Sequence, residues 1–173
     1  MRSEDVVEII NVINLYPVAV DTLSWDLFDQ VFTNDARIDF GGPAAWSDLA
    51  ALKEAFEAIH RPFEATQHVT TNHQVTGDGD QASCLTYVHG RFIRQVPGGG
   101  NMFESAGWYD DRLVRTPAGW RISARSCRSV WSGGNPKVLE TVPGVSGEPQ
   151  LDSLSREAAA GAISHLHALR AAR

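Results

Sequence analysis

The chain has 173 residues, of which 43% are hydrophobic, and this length and composition predict one domain with a single core. Its net charge of −6 and pI near 5.4 argue against nucleic-acid or anionic-membrane partners, because phosphate binding requires a positive surface. The first residues, MRSEDVVEII, lack the features of a signal peptide, and no long apolar run follows, so we expect a cytoplasmic protein without a membrane partner.

Ser3 is predicted to cap a first helix that runs to about Leu23. Its apolar stripe keeps helical spacing and consists of Val6, Ile10, Ile13, Pro17 and Val20. Pro17 removes one backbone hydrogen bond and is expected to kink the helix. Residues five apart on a straight helix point about 140° from each other, so Tyr16 and Asp21 share a cavity only if the helix bends or the cavity wraps around it.

Two further helices are predicted, a short one capped by Ser24 and a third capped by Ser47. Between them, residues 37–40 indicate a short strand. The sequence then changes to long β-type runs over residues 67–76, 81–96, 102–115 and 120–131. Hairpin connections are indicated by turn signals at residues 77–80, 97–101 and 116–119. Helices followed by strands predict the α+β class, with one curved sheet and helices across one face.

The C-terminal part of the chain differs in composition from the rest. After Trp131 it is rich in Gly, Pro and Ser as far as Gln150, and then rich in Ala. We predict one domain in residues 1–135 and a loose arm with a terminal helix in residues 136–173. Such an arm can pack on its own subunit, on a neighbouring subunit or on neither.

A set of residues recurs here in a recognisable order: Tyr16, Asp21, Trp25, Phe32, Thr33, Asp35 and Ala36, then Thr-Gln-His at 66–68 with Asn72, Trp-Tyr-Asp-Asp at 108–111 and Gly-Trp-Arg-Ile at 119–122. In this order, over roughly residues 5–133, the chain resembles the SnoaL-like branch of the NTF2-like superfamily. The resemblance implies a cone-shaped α+β barrel, whose curved, mostly antiparallel sheet carries the N-terminal helices over its concave face. It does not imply one activity, because the superfamily contains dehydratases, cyclases, isomerases, epoxide hydrolases and non-catalytic binders.

Within that superfamily, scytalone dehydratase, the hexachlorocyclohexane dehydrochlorinase and the bile-acid 7α-dehydratase pair an Asp of the first helix with a His of the sheet. The resemblance places Asp21 and His68 at these two positions. Tyr16 matches the position five residues before the Asp, which is also a tyrosine in the bile-acid enzyme. Arg125 matches an arginine on the last strand of the dehydrochlorinase. The resemblance therefore implies His68 as general base, Asp21 as its orienting partner, Tyr16 as proton donor and Arg125 in the pocket.

The implied reaction is a cofactor-independent, dehydratase-type β-elimination on a hydrophobic polycyclic or polyketide-like molecule. His68 removes a proton next to a carbonyl or similar group while a donor assists the departing hydroxide. Apolar pocket walls are expected from Trp25, Phe28, Phe40, Tyr87 and Trp131. Two alternatives remain: a polyketide cyclase or isomerase with the same base, and a non-catalytic small-molecule-binding protein in which these polar residues are incidental.

Strand alternation assigns further residues to the two faces of the sheet. If His68 faces the pocket, so do Thr70, Asn72 and Gln74, which makes Asn72 a candidate substrate-binding residue. Apolar residues are then predicted on the outer face, namely Val69, Val75, Ile122, Ala124 and Val130. Such a face needs cover, so we expect a homo-oligomer, a dimer or trimer, unless a local bulge shifts the alternation.

Neither a metal nor an organic cofactor is expected. His73 lies five residues from His68 and is predicted on the opposite face of the strand, which excludes a shared metal site. The remaining histidines lack ligand partners at useful spacing: His60, His89, His165 and His167. Cys84 and Cys127 are far apart and without paired spacing, so both are predicted to be buried, reduced thiols.

Overall fold

The computed structural model describes residues 1–171. Helix α1 (Ser3–Asp21) leads through a 3-10 turn (Trp25–Leu27) into the short helix α2 (Phe28–Val31). Strands β1 (Phe32–Asp39) and β2 (Ala45–Trp46) precede helix α3 (Leu49–His60). The long strands follow as β3 (Ala65–Asp78), β4 (Gln81–Ile93), β5 (Met102–Thr116) and β6 (Gly119–Gly134). The chain continues into the short helices α4 (Leu154–Ala159) and α5 (Ser164–Ala171).

The six strands form one curved, unclosed sheet in the order β2-β1-β6-β5-β4-β3. Strand β1 runs parallel to β6, and every other neighbouring pair is antiparallel. Helices α1, α2 and α3 contact one face of this sheet, which we call the inner face; the opposite side is the outer face. The predicted α+β cone with a mostly antiparallel sheet is confirmed.

The hydrophobic core lies between the inner face and these helices. Helix α1 contributes the fully buried Ile9, Ile13 and Val20 and continues through Pro17 as far as Asp21. The N-cap residue of this helix is Arg2, whose backbone N–H donates to the carboxylate of Asp5 in the first turn. Ser3 is already the first helical residue, so its predicted role as the cap is wrong.

The start of α3 also differs from the predicted cap. Asp48, one residue beyond the predicted Ser47, accepts the N–H of Ala51 at 2.8 Å. Serine and aspartate are both common N-cap residues, so the sequence alone does not distinguish Ser47 from Asp48.

Extra residues in two strands change which side chains face inward. The pairing of β3 with β4 shifts by one residue between Thr71 and Gln74, where Asn72 adopts a left-handed φ of 56°. Val75, predicted outward, therefore packs against the core. A similar shift in the pairing of β5 with β6, between Arg112 and Leu113, places Ile122 in the core, again contrary to the prediction. One unpaired residue reverses the alternation of everything beyond it.

The C-terminal segment packs on its own chain. Asp110, an outer-face residue of β5, accepts the backbone N–H groups of Ser164 and His165 at the start of α5. His165 is completely buried, with Nδ1 3.0 Å from the hydroxyl of Ser83 on β4. Leu151 forms a parallel bridge with Ser129 of β6. The division into residues 1–135 and 136–173 stays a prediction. Within residues 1–171, no helix has the length and apolar character needed to cross a membrane.

Candidate active site

Asp21 and His68 meet at the end of α1. The side chain of His68 points from the inner face of β3, and its Nδ1 lies 2.7 Å from Oδ1 of Asp21. The second carboxylate oxygen, Oδ2, accepts the backbone N–H of His68 at 2.8 Å. The hydroxyl of Thr66 also donates to Oδ1, at 2.8 Å. Three hydrogen bonds thus fix the carboxylate against the first residues of β3.

The same contacts lower the pKa of Asp21 and fix the tautomer of His68. Partial burial opposes ionisation of Asp21, but the hydrogen bonds from His68 and Thr66 outweigh it and lower the pKa of this carboxyl below its usual range. Because a carboxylate only accepts, Nδ1 of His68 carries the hydrogen, and Nε2 of the neutral ring has a free lone pair. No hydrogen bond to this Nε2 is found among residues 1–171. The pair therefore has the arrangement of a general base and its orienting group.

Two residues that the sequence analysis did not select shape the surroundings of His68. Gly90, its partner on β4, lies under the imidazole: a Cβ there would be 3.0 Å from Cδ2 and 3.1 Å from Nε2. The ring of Phe92 stands edge-on to the imidazole, with the two ring centroids 5.3 Å apart. A glycine within a β-type run was the available signal, since such glycines often mark a close approach.

Tyr16 does not accompany Asp21. Its ring is buried among four others, those of Phe28, Phe32, Phe56 and Tyr109. This burial raises the pKa of its hydroxyl well above the ordinary value for tyrosine. No hydrogen bond or ring contact between Tyr16 and the Asp21–His68 pair is found among the described residues. Since α1 remains helical through Pro17, the two side chains keep the divergence expected of residues five apart.

Arg125 faces inward, but it lies inside the core. Its Nε and Nη2 donate to the two carboxylate oxygens of Asp111, at 2.7 and 2.8 Å, with both side chains completely buried. The guanidinium carbon is 3.9 Å from the ring centroid of Tyr109 and 4.4 Å from that of Tyr16. Burial opposes its charge, but Asp111 outweighs this effect and raises the pKa of Arg125 above its usual range. Asp111 and the rings thus occupy most of this side chain, although Nη1 has no partner within residues 1–171.

The predicted apolar walls divide between the two faces. Trp25, Phe28 and Phe40 lie on the inner side, in contact with the core. Tyr87 and Trp131 instead lie on the outer face, 44% and 42% exposed, and their assignment to the pocket is wrong. Tyr87 alternates with the inward residues of β4, while Trp131 follows an irregularity in the pairing of β6 with β5 near Ser129.

Asn72 is also misplaced by the prediction. It lies at the bulge of β3 and is exposed, because the left-handed backbone at this residue interrupts the alternation. The same bulge brings His73 to the inner side, where its Nδ1 lies 3.0 Å from the hydroxyl of Thr86. His73 was predicted on the opposite face. Among residues 1–171, no three His, Cys, Asp or Glu side chains form a group that could hold a metal ion.

A second histidine lies near the Asp21–His68 pair, although its sequence context did not reveal it. His60 is the last residue of α3 and is 7% exposed, and its ring packs against those of Trp25, Phe56 and Phe63. Phe63 in turn contacts Phe92, beside His68. The aromatic surroundings of the candidate site thus come from the turn after α1, from α3 and from β4.

Two open depressions lie elsewhere on the molecule. One, of about 570 Å³, borders β1, β5 and β6 and is lined by Arg37, Arg112 and Ser164 among others. The second, of about 680 Å³, lies on the outer face and is lined by Val69, Tyr87, Val130 and Trp131 among others. Neither is lined by Asp21 or His68. The chemical arrangement, and not the size of a depression, identifies the candidate site.

Both cysteines are free thiols. Cys84 is buried as predicted, whereas Cys127 is only partly buried as a residue, with its side chain packed against the core. Burial among neighbouring side chains raises the pKa of each thiol to about 12.

Comparison with known proteins identifies a family and several relatives. The family model of the SnoaL-like domain matches residues 1–126. An uncharacterised protein of Mycobacterium tuberculosis is 33% identical over 112 residues, which cover 64% of this chain and 75% of that protein. A solved protein of Kribbella flavida is 31% identical with a TM-score of 0.71, covering 75% of this chain and 93% of its own. A Novosphingobium aromaticivorans protein assigned as a scytalone dehydratase shares the fold at 18% identity, with a TM-score of 0.68 and coverage of 75% and 87%.

Proposed function

The chain belongs to the SnoaL-like family of the NTF2-like superfamily, and we propose that it is a cofactor-independent lyase in which His68 and Asp21 catalyse a dehydration. The observation that carries this proposal is the free Nε2 of His68 on a ring held by Asp21 at 2.7 Å. Family membership supports either an enzyme or a binding protein. A carboxylate that orients an imidazole with an open nitrogen favours the enzyme, because a simple binding site does not require a base.

In the proposed reaction, Nε2 of His68 takes a proton from the carbon next to a carbonyl. The C–H electron pair forms a carbon–carbon double bond as the C–O bond of the neighbouring carbon breaks, and the oxygen leaves with its electron pair. Asp21 stabilises the imidazolium that forms. A positioned base of this kind contributes about 10² to 10⁴ in rate.

The leaving oxygen requires a proton to depart as water. The imidazolium of His68 carries one on Nε2 and can return it if both groups leave from the same face of the substrate. Tyr16 is the alternative donor, and its burial among four rings makes it the less accessible acid. On this proposal, Tyr16→Phe retains most of the activity and His68→Ala loses it.

The side chains near the pair support the proposed substrate class. Three aromatic rings lie close to the pair or to His60. Phe92 contacts His68 and Phe63, and Trp25 contacts His60. Such walls favour a hydrophobic, polycyclic or polyketide-like molecule that carries a hydroxyl next to an acidic C–H. The acidic C–H is necessary because histidine is a weak base, and an adjacent carbonyl stabilises the carbanion.

The test is a mass-spectrometric comparison of metabolite extracts incubated with the wild type, His68→Ala and Asp21→Asn. We expect a metabolite to lose 18 mass units with the wild type and to persist with both variants. A product of unchanged mass that still requires His68 would support a cyclase or isomerase instead. Turnover that does not depend on either residue would contradict the catalytic roles of His68 and Asp21, and no turnover in any extract would favour a binding protein.

We further propose that the outer face pairs with a second copy of the chain. Four exposed apolar residues line one depression there and form what we call the outer patch: Val69, Tyr87, Val130 and Trp131. The patch combines two aromatic side chains with two valines. In a two-fold symmetric dimer, the aromatic rings of one copy can therefore pack against the valines of the other. Glu104, which contacts Nε2 of His89 at 3.0 Å and forms an ion pair with Arg91, borders it and supplies a polar rim.

A further inference from the structure

His60 has a fixed tautomer. Its Nδ1 lies 2.8 Å from the carbonyl oxygen of Phe56, one turn earlier in α3. A carbonyl oxygen only accepts hydrogen bonds, so Nδ1 carries the hydrogen and Nε2 of the neutral ring holds a lone pair. Burial lowers the pKa of His60 to about 4, which keeps the ring neutral at physiological pH. His60 therefore presents a hydrogen-bond acceptor, not a positive charge.

The acceptor nitrogen is unpartnered but not enclosed. No hydrogen bond to Nε2 of His60 is found among residues 1–171. Within the same residues, the fully enclosed side-chain polar atoms without a partner belong to Thr33, Arg125, Thr141 and His165. Nε2 of His60 is not one of them, so it reaches accessible space although the residue as a whole is only 7% exposed. An atom in this situation is available to a bound molecule.

A series of rings connects His60 with His68. The centroid of the His60 ring is 5.8 Å from that of Phe63, Phe63 is 5.3 Å from Phe92, and Phe92 is 5.3 Å from His68. Trp25 also packs against His60, with the ring centroids 5.6 Å apart. The two histidines thus lie at the ends of one series of contacting rings, and both have a free Nε2.

We propose that Nε2 of His60 accepts a hydrogen bond from a hydroxyl group of an aromatic ligand bound on the surface formed by Trp25, Phe63 and Phe92. The inference concerns the same site as the proposed lyase and extends it by naming the group that the site recognises. His60 selects hydroxylated molecules, because an analogue without the donor leaves this buried nitrogen without a partner. His68 remains free for proton abstraction.

Calorimetric titration with two probes tests the proposal. The probes are 2-naphthol and 2-methoxynaphthalene, which share a ring system and differ in the presence of a hydroxyl donor. The wild type is expected to bind 2-naphthol about 10-fold more tightly. His60→Phe keeps the stacking but removes the acceptor, so the preference should disappear. His89→Phe is the matched control: this histidine packs on Trp131 at the outer face, and its replacement should leave the preference intact.

The outcomes separate this inference from the proposed function. A preference that survives in His60→Phe would assign the hydroxyl to another acceptor, such as His68, and would overturn the inference. Absence of saturable binding of either probe would overturn the assigned ligand class. A preference that depends on His60, in a protein without His68-dependent water loss, would support the inference and reject the lyase. If His60→Phe does not fold, the ¹⁵N resonance of Nε2 in the wild type must shift on addition of 2-naphthol and not of the ether.

Discussion

Gly90 lies directly beneath the imidazole of His68, so that a methyl group at Gly90 would come within 3.1 Å of Nε2. In Gly90→Ala the imidazole must move away from this position. We expect the rate of water loss to fall about 10²-fold, because small displacements of a base have large effects on rate. Gly133→Ala is the control, since a methyl there meets nothing within 4 Å. An unchanged rate in Gly90→Ala would show that the observed position of His68 is not the reactive one.

The tautomer of His68 should depend on Asp21. In Asp21→Asn the side chain keeps its shape, but its amide can donate to Nδ1, which favours hydrogen on Nε2 and removes the basic lone pair. Two-dimensional ¹H–¹⁵N spectra of the imidazole should show hydrogen on Nδ1 in the wild type and a shift towards Nε2 in the variant. Identical spectra for the two proteins would contradict the orienting role of Asp21.

His60 should make folding stability depend on pH. Its pKa is lowered in the folded state to about 4, so between pH 6.5 and pH 4 the unfolded chain binds a proton that the folded chain does not. Stability therefore falls as the pH falls, by up to about 1.4 kcal/mol per pH unit from this residue. His73 and His165, whose pKa values are also lowered by burial, act in the same direction. Urea unfolding at pH 7, 6 and 5 gives the free energy of unfolding at each pH. This free energy should change less with pH in His60→Phe than in the wild type; an equal change would contradict a neutral buried His60.

The ion pair of Arg125 and Asp111 should be important for folding. In Arg125→Met the carboxylate of Asp111 remains buried without its partner, which costs about 3 to 5 kcal/mol. In the double variant Arg125→Met with Asp111→Leu no uncompensated charge remains, and much of the loss should be recovered. Free energies of unfolding from urea titrations at neutral pH measure both effects. A single variant as stable as the wild type would show that the pair is not desolvated.

The outer patch should hold two copies together. Trp131→Glu places a charge on the apolar surface and faces its own copy across a two-fold axis, so the assembly should dissociate into monomers. Val7→Glu is the control, because Val7 is exposed on α1 at a distance in sequence and structure from the patch. Sedimentation velocity measures the change in mass. A wild type that is monomeric at micromolar concentration would contradict the proposed interface.

The prediction of the fold from the sequence succeeded where local chemistry was decisive. Turn signals at 77–80 and 116–119 marked the hairpins, and the change from helical to β-type spacing indicated the order of layers. The pairing of Asp21 with His68 came from the family resemblance, since no local rule connects residues 47 positions apart. Their catalytic roles stay a proposal.

The assignment of side chains to faces was less successful, for a specific reason. Counting from the turn at 79–80 without a bulge pairs His68 with Arg91, whereas the extra residue at Asn72 moves its partner to Gly90. The bulge depends on how β3 bends over the helices, and its sequence, Thr-Thr-Asn-His, has no strong turn signal. His60 was missed because its neighbours in space come from the turn after α1 and from the segment after α3.

Asp110 and Asp111 are consecutive residues of β5 with opposite tasks. Asp110 holds the start of α5 on the outer face, while Asp111 neutralises Arg125 inside the core. A slip of β5 by one residue would place a carboxylate at only one of these two positions, so either Arg125 or the start of α5 would lose its partner. The two neighbouring acids thus lock the strand in a single register, which a pair of apolar residues at these positions would leave free to change.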